Sequence, residues 1–309
     1  MVTDTNSLQK WALAAGLALM LAWGVNFAIT KVVLAELGVW PFLFIRFLAM
    51  PLFGFALLVA VTRRHFPKSW PRREDLPRFI AAGLIGHTAH VSLVMWGINL
   101  STAFSSSLVL TSSPLFTLLI LALLGAEKLR RRQLIGTLVA FAGIVVFLSD
   151  KFVAGFALAG AGDLVLLLAA SLFSLYTVIT MPLVVRYGPL NVMCYTLLFG
   201  APPLVLATLP AFVQAPLAHV SAAVWFGVFW AIAVSSFLGW IAWAWVNSVR
   251  GLARSAPLQY LMPPIAGLVA WLTLGETFTW LKIVGAVAAM GGIAWAQLGV
   301  RSATPPDAA

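Results

Sequence analysis

The chain has 309 residues, of which 62% are hydrophobic and only 9% are charged. About a quarter of the residues of a soluble globular domain are charged, so this composition excludes that class. The formal net charge of +10 would suit a nucleic-acid partner, but the basic residues lie in short segments between apolar runs. The composition therefore favours a protein that resides in a lipid bilayer and has no nucleic-acid partner.

Apolar runs bounded by charge, glycine or proline predict ten spans, because one helical crossing needs about 20 apolar residues. In chain order the predicted spans are 11–33, 39–61, 78–98, 103–125, 132–150, 161–183, 190–213, 220–246, 254–274 and 280–299. The first run is longer than the hydrophobic region of a signal peptide, which has roughly 7–15 residues, so we interpret it as a span. Backbone groups that lipid leaves unpaired require helices or closed barrels, and no alternating strand pattern is present. The sequence thus predicts an all-α membrane protein.

The charged loops predict an orientation through the excess of Lys and Arg on the cytoplasmic side. With a cytoplasmic N-terminus, 15 of the 19 Lys and Arg residues fall inside and only Lys31, Lys151 and Lys282 fall outside. Arg46 lies within a span. Both termini are therefore predicted to be cytoplasmic.

A pattern of four residues occurs twice, 149 positions apart. Pro114, Glu127, Gly136 and Gly143 recur as Pro263, Glu276, Gly285 and Gly292. Glycine matches alone arise easily by chance, whereas the chain has only nine acidic residues and two of them fall on the pattern. Five spans in each half, 11–150 and 161–299, place the halves in opposite orientations. Inverted repeats of this kind are typical of secondary transporters, whose substrate site lies where the halves meet.

Several short motifs then carry a family resemblance over about residues 11–299. They are AWGVNF at 22–27, IRF at 45–47, SLVL at 107–110 before Pro114, GAE at 125–127, MPP at 262–264 and LGE at 274–276. As a set they resemble the EamA-type branch of the drug/metabolite transporter superfamily. The resemblance implies ten helices in two inverted five-helix repeats and a central cavity. It also implies export of small metabolites, often amino acids or related compounds, from the bacterial inner membrane. Cysteine-like cargo is not carried over, because exporters of such compounds can have amides where this chain has Thr111, Ser112 and Ser113.

Ionisable and polar residues within spans are the first candidates for substrate binding, since such residues are costly in lipid and usually functional. Arg46 lies mid-span, where its guanidinium would bind a carboxylate or phosphate, or a structural carbonyl instead. His90 and His87 share one face of span 3 and could bind substrate or move a proton, or simply pack. Asn26 shares a helical face with Trp23 and Thr30, which favours a cavity lining or a bond between helices.

Spans 4 and 9 contain the matching prolines, Pro114 and Pro263, which predict kinked segments for gating or for fixed packing. Their polar neighbours include Ser112 and Gln259, which we predict to bind substrate. Tyr176 joins them as the counterpart of Phe27 at the repeat offset.

The remaining chemistry-bearing residues point to structural roles or to no site. Glu127 and Glu276 precede helices 5 and 10, where a carboxylate complements the helix dipole, so we expect caps with gating ion pairs as the alternative. Cys194 is the single cysteine and is expected to pack inertly. No metal-ligand spacing or nucleotide-binding motif occurs, so neither a cofactor nor ATP hydrolysis is expected.

The function predicted from sequence is a secondary transporter that exports amino acids or their derivatives by alternating access. The alternatives are export of nucleosides, sugars or xenobiotics and, more remotely, a membrane-embedded enzyme, for which no nucleophile or acid pair is present. The coupling ion, the resting conformation and the oligomeric state do not follow from the sequence.

Overall fold

The computed structural model describes residues 5–62, 70–125, 131–153, 158–251 and 255–297, and every regular element in these ranges is helical. The first five helices in chain order are α1 (Thr5–Leu37), α2 (Val39–Thr62), α3 in three consecutive pieces (Leu76–Ala82, Gly83–His90 and Val91–Leu100), α4 in two pieces (Ala103–Leu110 and Ser113–Leu123) and α5 (Arg131–Val153). The next two are α6 (Leu158–Tyr187) and α7 (Pro189–Val213). The other three are α8 Ala222–Phe229, Trp230–Leu238 and Gly239–Arg250, α9 Ala256–Leu261 and Met262–Leu274, and α10 Trp280–Gln297.

Among the described residues, eight helices are long and apolar enough to cross a membrane, and two shorter apolar helices, Leu258–Leu274 and Trp280–Trp295, follow them. The count of ten spans and their direction stay predictions. Several helices extend past the predicted spans: α1 begins at Thr5 rather than at residue 11, and α6 runs over 158–187 rather than 161–183. An apolar run marks only the lipid-facing part of a helix, whereas the helix itself continues through polar residues.

The outer surface of the bundle is rich in large apolar side chains. Leu52, Phe53, Leu123 and Val185, for example, are all more than half exposed. A soluble monomer rarely exposes a continuous apolar surface of this kind, whereas lipid solvates it. The surface and the helix lengths together make this a multi-pass membrane protein.

Interruptions fall at matching places in the two halves. A π-helical segment occupies Gly83–His90 of α3 and Trp230–Leu238 of α8. Pro114 and Pro263 are each the second residue of the α-helical piece that follows a break in α4 or α9. Proline cannot donate a backbone hydrogen bond, so the preceding turn is released from regular helix. These irregular segments carry several of the cavity-lining side chains described below.

Helices α5 and α10 approach each other backbone to backbone. A Cβ on Gly143 would stand 2.3 Å from the backbone nitrogen of Ala289, and one on Gly292 would stand 2.4 Å from that of Ala140. Small residues allow such approach in lipid, where packing rather than a hydrophobic force holds helices together. The glycines of the repeated pattern therefore have a packing role in α5 and α10.

Polar bonds connect helix ends that belong to different halves. The buried Asp75 before α3 accepts hydrogen bonds from Arg186 at 2.7 Å and Tyr187 at 2.6 Å at the end of α6. Glu36 near the end of α1 accepts from the hydroxyl of Ser221 at 3.0 Å, and also from its backbone N–H, immediately before α8. The two connections occupy equivalent positions in the two halves.

The position of the Glu276 side chain differs from the cap of helix 10 that the sequence predicted. Its carboxylate does not cap α10, which it precedes, but accepts the backbone N–H groups of Ala103 at 2.6 Å and Phe104 at 3.3 Å, at the start of α4. The loop after α9 directs the side chain towards that neighbouring helix end, whose free N–H groups attract a carboxylate. Glu127 lies outside the described residues.

Candidate functional site

A cavity lies in the centre of the bundle, between side chains from both halves of the chain. Its volume, measured for the centres of water-sized molecules, is about 120 Å³, far more than the roughly 10–15 Å³ that a single water needs. Its lining consists of Trp23, Asn26, Phe27, Arg46, His90, Val91, Val94, Met95, Ile98, Leu110, Ser113, Phe173, Ser235, Ser236, Trp240, Gln259 and Met262. A mostly apolar wall with a few convergent polar groups is typical of a small-molecule site.

Among the described residues that form this lining, Arg46 alone carries a permanent charge. It is 5% exposed, and its Nε has no hydrogen-bond partner among the described residues. None of the ion pairs formed by those residues includes it. A buried cation without a protein counter-charge is costly. The arrangement therefore leaves the guanidinium available to an anion that enters the cavity.

The neutral polar groups come mainly from the interrupted helices. Ser113, after the break in α4, donates to Oε1 of Gln259 in the 3₁₀ segment of α9, at 3.1 Å. Asn26 donates to the hydroxyl of Thr30 at 3.1 Å, while its Oδ1 is buried without a partner in the described part of the chain. His90 places Nδ1 2.8 Å from the carbonyl oxygen of Ala169.

Aromatic rings form the rest of the binding surface. The indole of Trp23 donates to the carbonyl of Ser235 at 2.8 Å, which fixes its ring against α8. Trp240 lies 6.0 Å from the His90 ring and 5.8 Å from the Phe173 ring, between centroids. Such rings provide apolar contact area and a face that can hold a cation.

Four of the predicted binding residues line this cavity, namely Asn26, Arg46, His90 and Gln259. Ser112 does not, because its hydroxyl turns back onto the carbonyl of Val109 at 2.6 Å. At the break in α4 it is the next residue, Ser113, that faces the cavity.

Tyr176 does not line the cavity either. It lies beyond Trp240, at 5.1 Å between ring centroids, and lines an adjoining pocket. One helical turn of α6 separates it from Phe173, which does reach the cavity. His87 is also excluded, since it is buried against Trp240 and has a hydrogen bond of 3.0 Å with Thr196.

Ser235 and Ser236 are cavity residues that the sequence reasoning missed. Two adjacent hydroxyls within the apolar span 220–246 were the available signal. Phe173 gave no signal, because one phenylalanine among many in an apolar helix is indistinguishable from a packing residue.

Comparison with known proteins adds the family. A model of the EamA-like transporter family matches residues 10–149 and again residues 160–297. The chain belongs to the EamA-like transporter family. It is thus a transporter of the drug/metabolite transporter superfamily, and the expectation drawn from the sequence motifs is confirmed.

Relatives of this EamA-like transporter carry informative names. It is 31% identical over 226 residues to a protein of Streptantibioticus cattleyicolor named a probable terminal-alkyne amino-acid exporter, covering 72% of this chain and 73% of the relative. It is 25% identical to a probable amino-acid metabolite efflux pump of Escherichia coli K12, covering 92% and 94% of the two chains. A solved crystal structure, at 19% identity, superposes with a TM-score of 0.64 over 94% of this chain and 98% of that one, which supports the fold.

The acidic side chains of this transporter that the structure describes, those of Glu36, Glu74, Asp75, Asp163 and Glu276, are all bonded away from the cavity. Asp163 accepts from the hydroxyls of Ser101 and Ser105, and Glu276 caps α4. Glu36, Glu74 and Asp75 lie at helix ends, in bonds to other residues. Among the described residues no cluster of His, Cys, Asp and Glu could hold a metal ion. The electrostatics of the site are therefore those of one cation in an otherwise neutral, partly aromatic chamber.

Proposed function

We propose that this transporter exports amino acids or their derivatives across the bacterial inner membrane and binds the carboxylate of the cargo with Arg46. The observation that carries the proposal is the buried guanidinium of Arg46, which lines the central cavity and has no counter-charge among the described residues. A guanidinium presents a planar fork of donors that matches a carboxylate with two parallel hydrogen bonds.

The other cavity residues suit the rest of such a cargo. The unpartnered Oδ1 of Asn26 can accept from an ammonium or N–H group, and the ring of Trp240 can pack on an apolar side chain. The names of the amino-acid exporters among the relatives support the same cargo class.

Alternating access would follow from two inverted five-helix repeats, 11–150 and 161–299, with both termini cytoplasmic. The matching breaks of α4 and α9, the matching π segments of α3 and α8, and the double match of the family model all support this repeat. Fusions test the orientation: green fluorescent protein at either terminus should fluoresce, whereas alkaline phosphatase there should be inactive. The reverse pattern would contradict it.

The cargo proposal is tested by efflux from cells preloaded with a labelled mixture of amino acids and related metabolites. Cells with the intact protein should release one class faster, and Arg46→Ala and His90→Ala should lose this gain at equal membrane abundance. Ser112→Ala is the matched control, because Ser112 lies on the same interrupted helix as Ser113 but outside the cavity, and it should retain the gain.

The remaining outcomes test the class of cargo and the assignment of the binding residues separately. Efflux that the protein does not change would exclude amino acids and direct the search to nucleosides, sugars or xenobiotics. Efflux that survives both cavity substitutions would contradict the assignment of Arg46 and His90. The family indicates a transporter rather than an enzyme, so no catalytic role is assigned to either residue.

A further inference from the structure

A second, smaller pocket adjoins the central cavity and is enclosed by α6, α7 and α8. Its volume for the centres of water-sized molecules is about 40 Å³, and it shares only Phe173 and Trp240 with the cavity. The pocket is also lined by Tyr176, Trp243, Ala244 and Asn247. None of the described residues that line this pocket carries a charge.

Two side chains that line this pocket each carry a buried polar atom without a partner among the described residues. These atoms are the indole Nε1 of Trp243, whose side chain is 7% exposed, and Oδ1 of Asn247, which is 4% exposed. The hydroxyls of Thr177 and Thr180 are already donated to carbonyls of α6, at 2.9 Å and 2.8 Å. An unsatisfied donor and an unsatisfied acceptor in one pocket are unfavourable unless a ligand or water pairs with them.

The pocket has a counterpart in the first half of the chain, at the repeat offset of 149 residues. Tyr176, Trp240, Trp243, Ala244 and Asn247 correspond to Phe27, Val91, Val94, Met95 and Ile98. Those five counterparts all line the central cavity. The small pocket is therefore the equivalent, in the second half, of one lobe of the large cavity.

We propose that the small pocket is a second cargo site, open to the cytoplasm in the alternate conformation, where cargo binds before it reaches Arg46. This inference rests on the proposed export function and on the inverted repeat. In such transporters the two conformations arise as the repeats move against each other around the site. The lobe lined by Val94 and Ile98 and the pocket lined by Trp243 and Asn247 thus exchange between wide and narrow.

The two equivalent sites differ in chemistry, and the difference makes the pocket on the cytoplasmic side the tighter binding site for cargo. When the pocket widens it would present the donor of Trp243 and the acceptor of Asn247, whereas its counterpart presents Val94 and Ile98. Because none of the described lining residues is charged, the pocket recognises a cargo group that carries a donor and an acceptor without net charge, such as a zwitterionic amino acid or a neutral amide. The apolar lobe offers cargo no hydrogen bond from the side chains of Val94 or Ile98, which favours release there.

Aromatic rings separate the pocket from the cavity. Trp240 makes an edge contact with Phe173 at 5.8 Å and packs on Tyr176 at 5.1 Å, while the ring of His87 stacks on it at 4.9 Å. The indole of Trp240 lines both chambers. A rotation of this side chain would connect them.

Cysteine labelling of the full-length protein tests the proposal, with Cys194, the single and buried cysteine, replaced by alanine. Ala244→Cys reports on the pocket, its counterpart Met95→Cys on the outer lobe, and Ser236→Cys on the central cavity. A charged, membrane-impermeant methanethiosulfonate is applied to inside-out vesicles or to intact cells, with or without a mixture of the twenty standard amino acids.

We expect the Ala244→Cys reporter to be labelled only from the cytoplasmic face, and the Met95→Cys reporter only from the opposite face. The amino-acid mixture should slow labelling of the Ala244→Cys reporter in a concentration-dependent way, and loss of one hydrogen bond should raise the concentration for half-protection about tenfold. Adding Asn247→Ile, which installs the counterpart residue, should abolish most of this protection at Ala244→Cys while protection at Ser236→Cys is unchanged.

The outcomes distinguish the two proposals. Protection at the Ser236→Cys reporter without protection at Ala244→Cys, or protection that Asn247→Ile leaves intact, would overturn the second site and keep the proposed function. Labelling of Ala244→Cys only from the outer face would overturn it too. Protection at neither position would contradict both the second site and the amino-acid cargo.

Discussion

At the scale of single residues, Arg46 is a position where the fold bears a cost that a ligand would offset. Its guanidinium is buried in the first half of α2, and the acidic side chains that the structure describes are hydrogen-bonded elsewhere. Burial of a charge costs several kcal/mol per ion when no counter-charge offsets it, so an apolar residue of similar size should not destabilise this position. We therefore propose that Arg46 serves cargo binding rather than stability.

Arg46→Met should therefore leave the unfolding temperature in detergent unchanged or raised, while it lowers kcat/KM for carboxylate cargo by about 10–100-fold, the value of a hydrogen bond to a charged group. Arg46→Lys keeps the charge but lacks the planar fork of donors, so its kcat/KM should lie between those of the intact protein and of Arg46→Met. Thermal unfolding and initial rates of transport, measured for both variants, provide the test. A strongly destabilised Arg46→Met protein would instead assign Arg46 a structural role.

That Arg46 and His90 bind cargo stays a prediction, but their place on the cavity could be expected from the sequence where one residue differed from its apolar surroundings. Arg46 and His90 are polar groups in apolar spans, and both line the cavity. Ser112 and Tyr176 lie outside the central cavity, because the choice between neighbouring residues depends on helix phase, the rotation of each helix about its own axis. No single-sequence pattern reports that phase.

At the scale of elements, the close pairing of α5 and α10 depends on particular glycines rather than on glycine content. A Cβ on Gly143 would collide with backbone atoms of α10, whereas one on Gly291 meets no described atom within 4 Å. Both glycines lie inside helices. Glycine to alanine inside a helix otherwise stabilises by roughly 0.5–1 kcal/mol.

Gly143→Ala should consequently destabilise the protein by about 1–3 kcal/mol through overpacking. Gly291→Ala, in the partner helix, should be neutral or slightly stabilising. Unfolding temperatures of the two variants, measured in the same detergent, decide the matter. Equal behaviour of the two variants would show that α5 and α10 do not pack as described.

The connections between helix ends are the second element-scale feature. Asp75 bonds the start of α3 to the end of α6, and Glu36 bonds the end of α1 to the residue before α8. By the repeat proposed above, they hold opposite faces of the bundle closed. Each connection joins polar residues that lie more than 100 positions apart in the chain, so no pattern in the sequence indicates which residues pair.

Asp75→Asn should weaken the cytoplasmic connection and increase labelling of the Ala244→Cys reporter, because it removes the charge that binds Arg186. Glu36→Gln should weaken the opposite connection and increase labelling of the Met95→Cys reporter. Labelling rates in the two vesicle orientations provide the measurement. Identical effects of both substitutions on both reporters would contradict opposite placement.

At the scale of the whole molecule, composition and repeated motifs were sufficient to predict an all-α membrane protein of the EamA-like family, as the helices and the family match confirm. It was harder to predict from the sequence where each helix begins and ends, where α4 and α9 break, and where α3 and α8 contain π segments. Those irregularities arise from the way helices pack around a cavity, which hydropathy does not encode.

The central claim is that Arg46 selects a carboxylate-bearing cargo, and counterflow into proteoliposomes tests it most directly. Vesicles containing the purified protein are loaded with unlabelled phenylalanine, leucine or the corresponding decarboxylated amines, and uptake of the labelled compound is followed. We predict exchange of an amino acid but not of its amine, and loss of that exchange in Arg46→Met. Equal exchange of the amine, or full exchange by the Arg46→Met protein, would contradict the account.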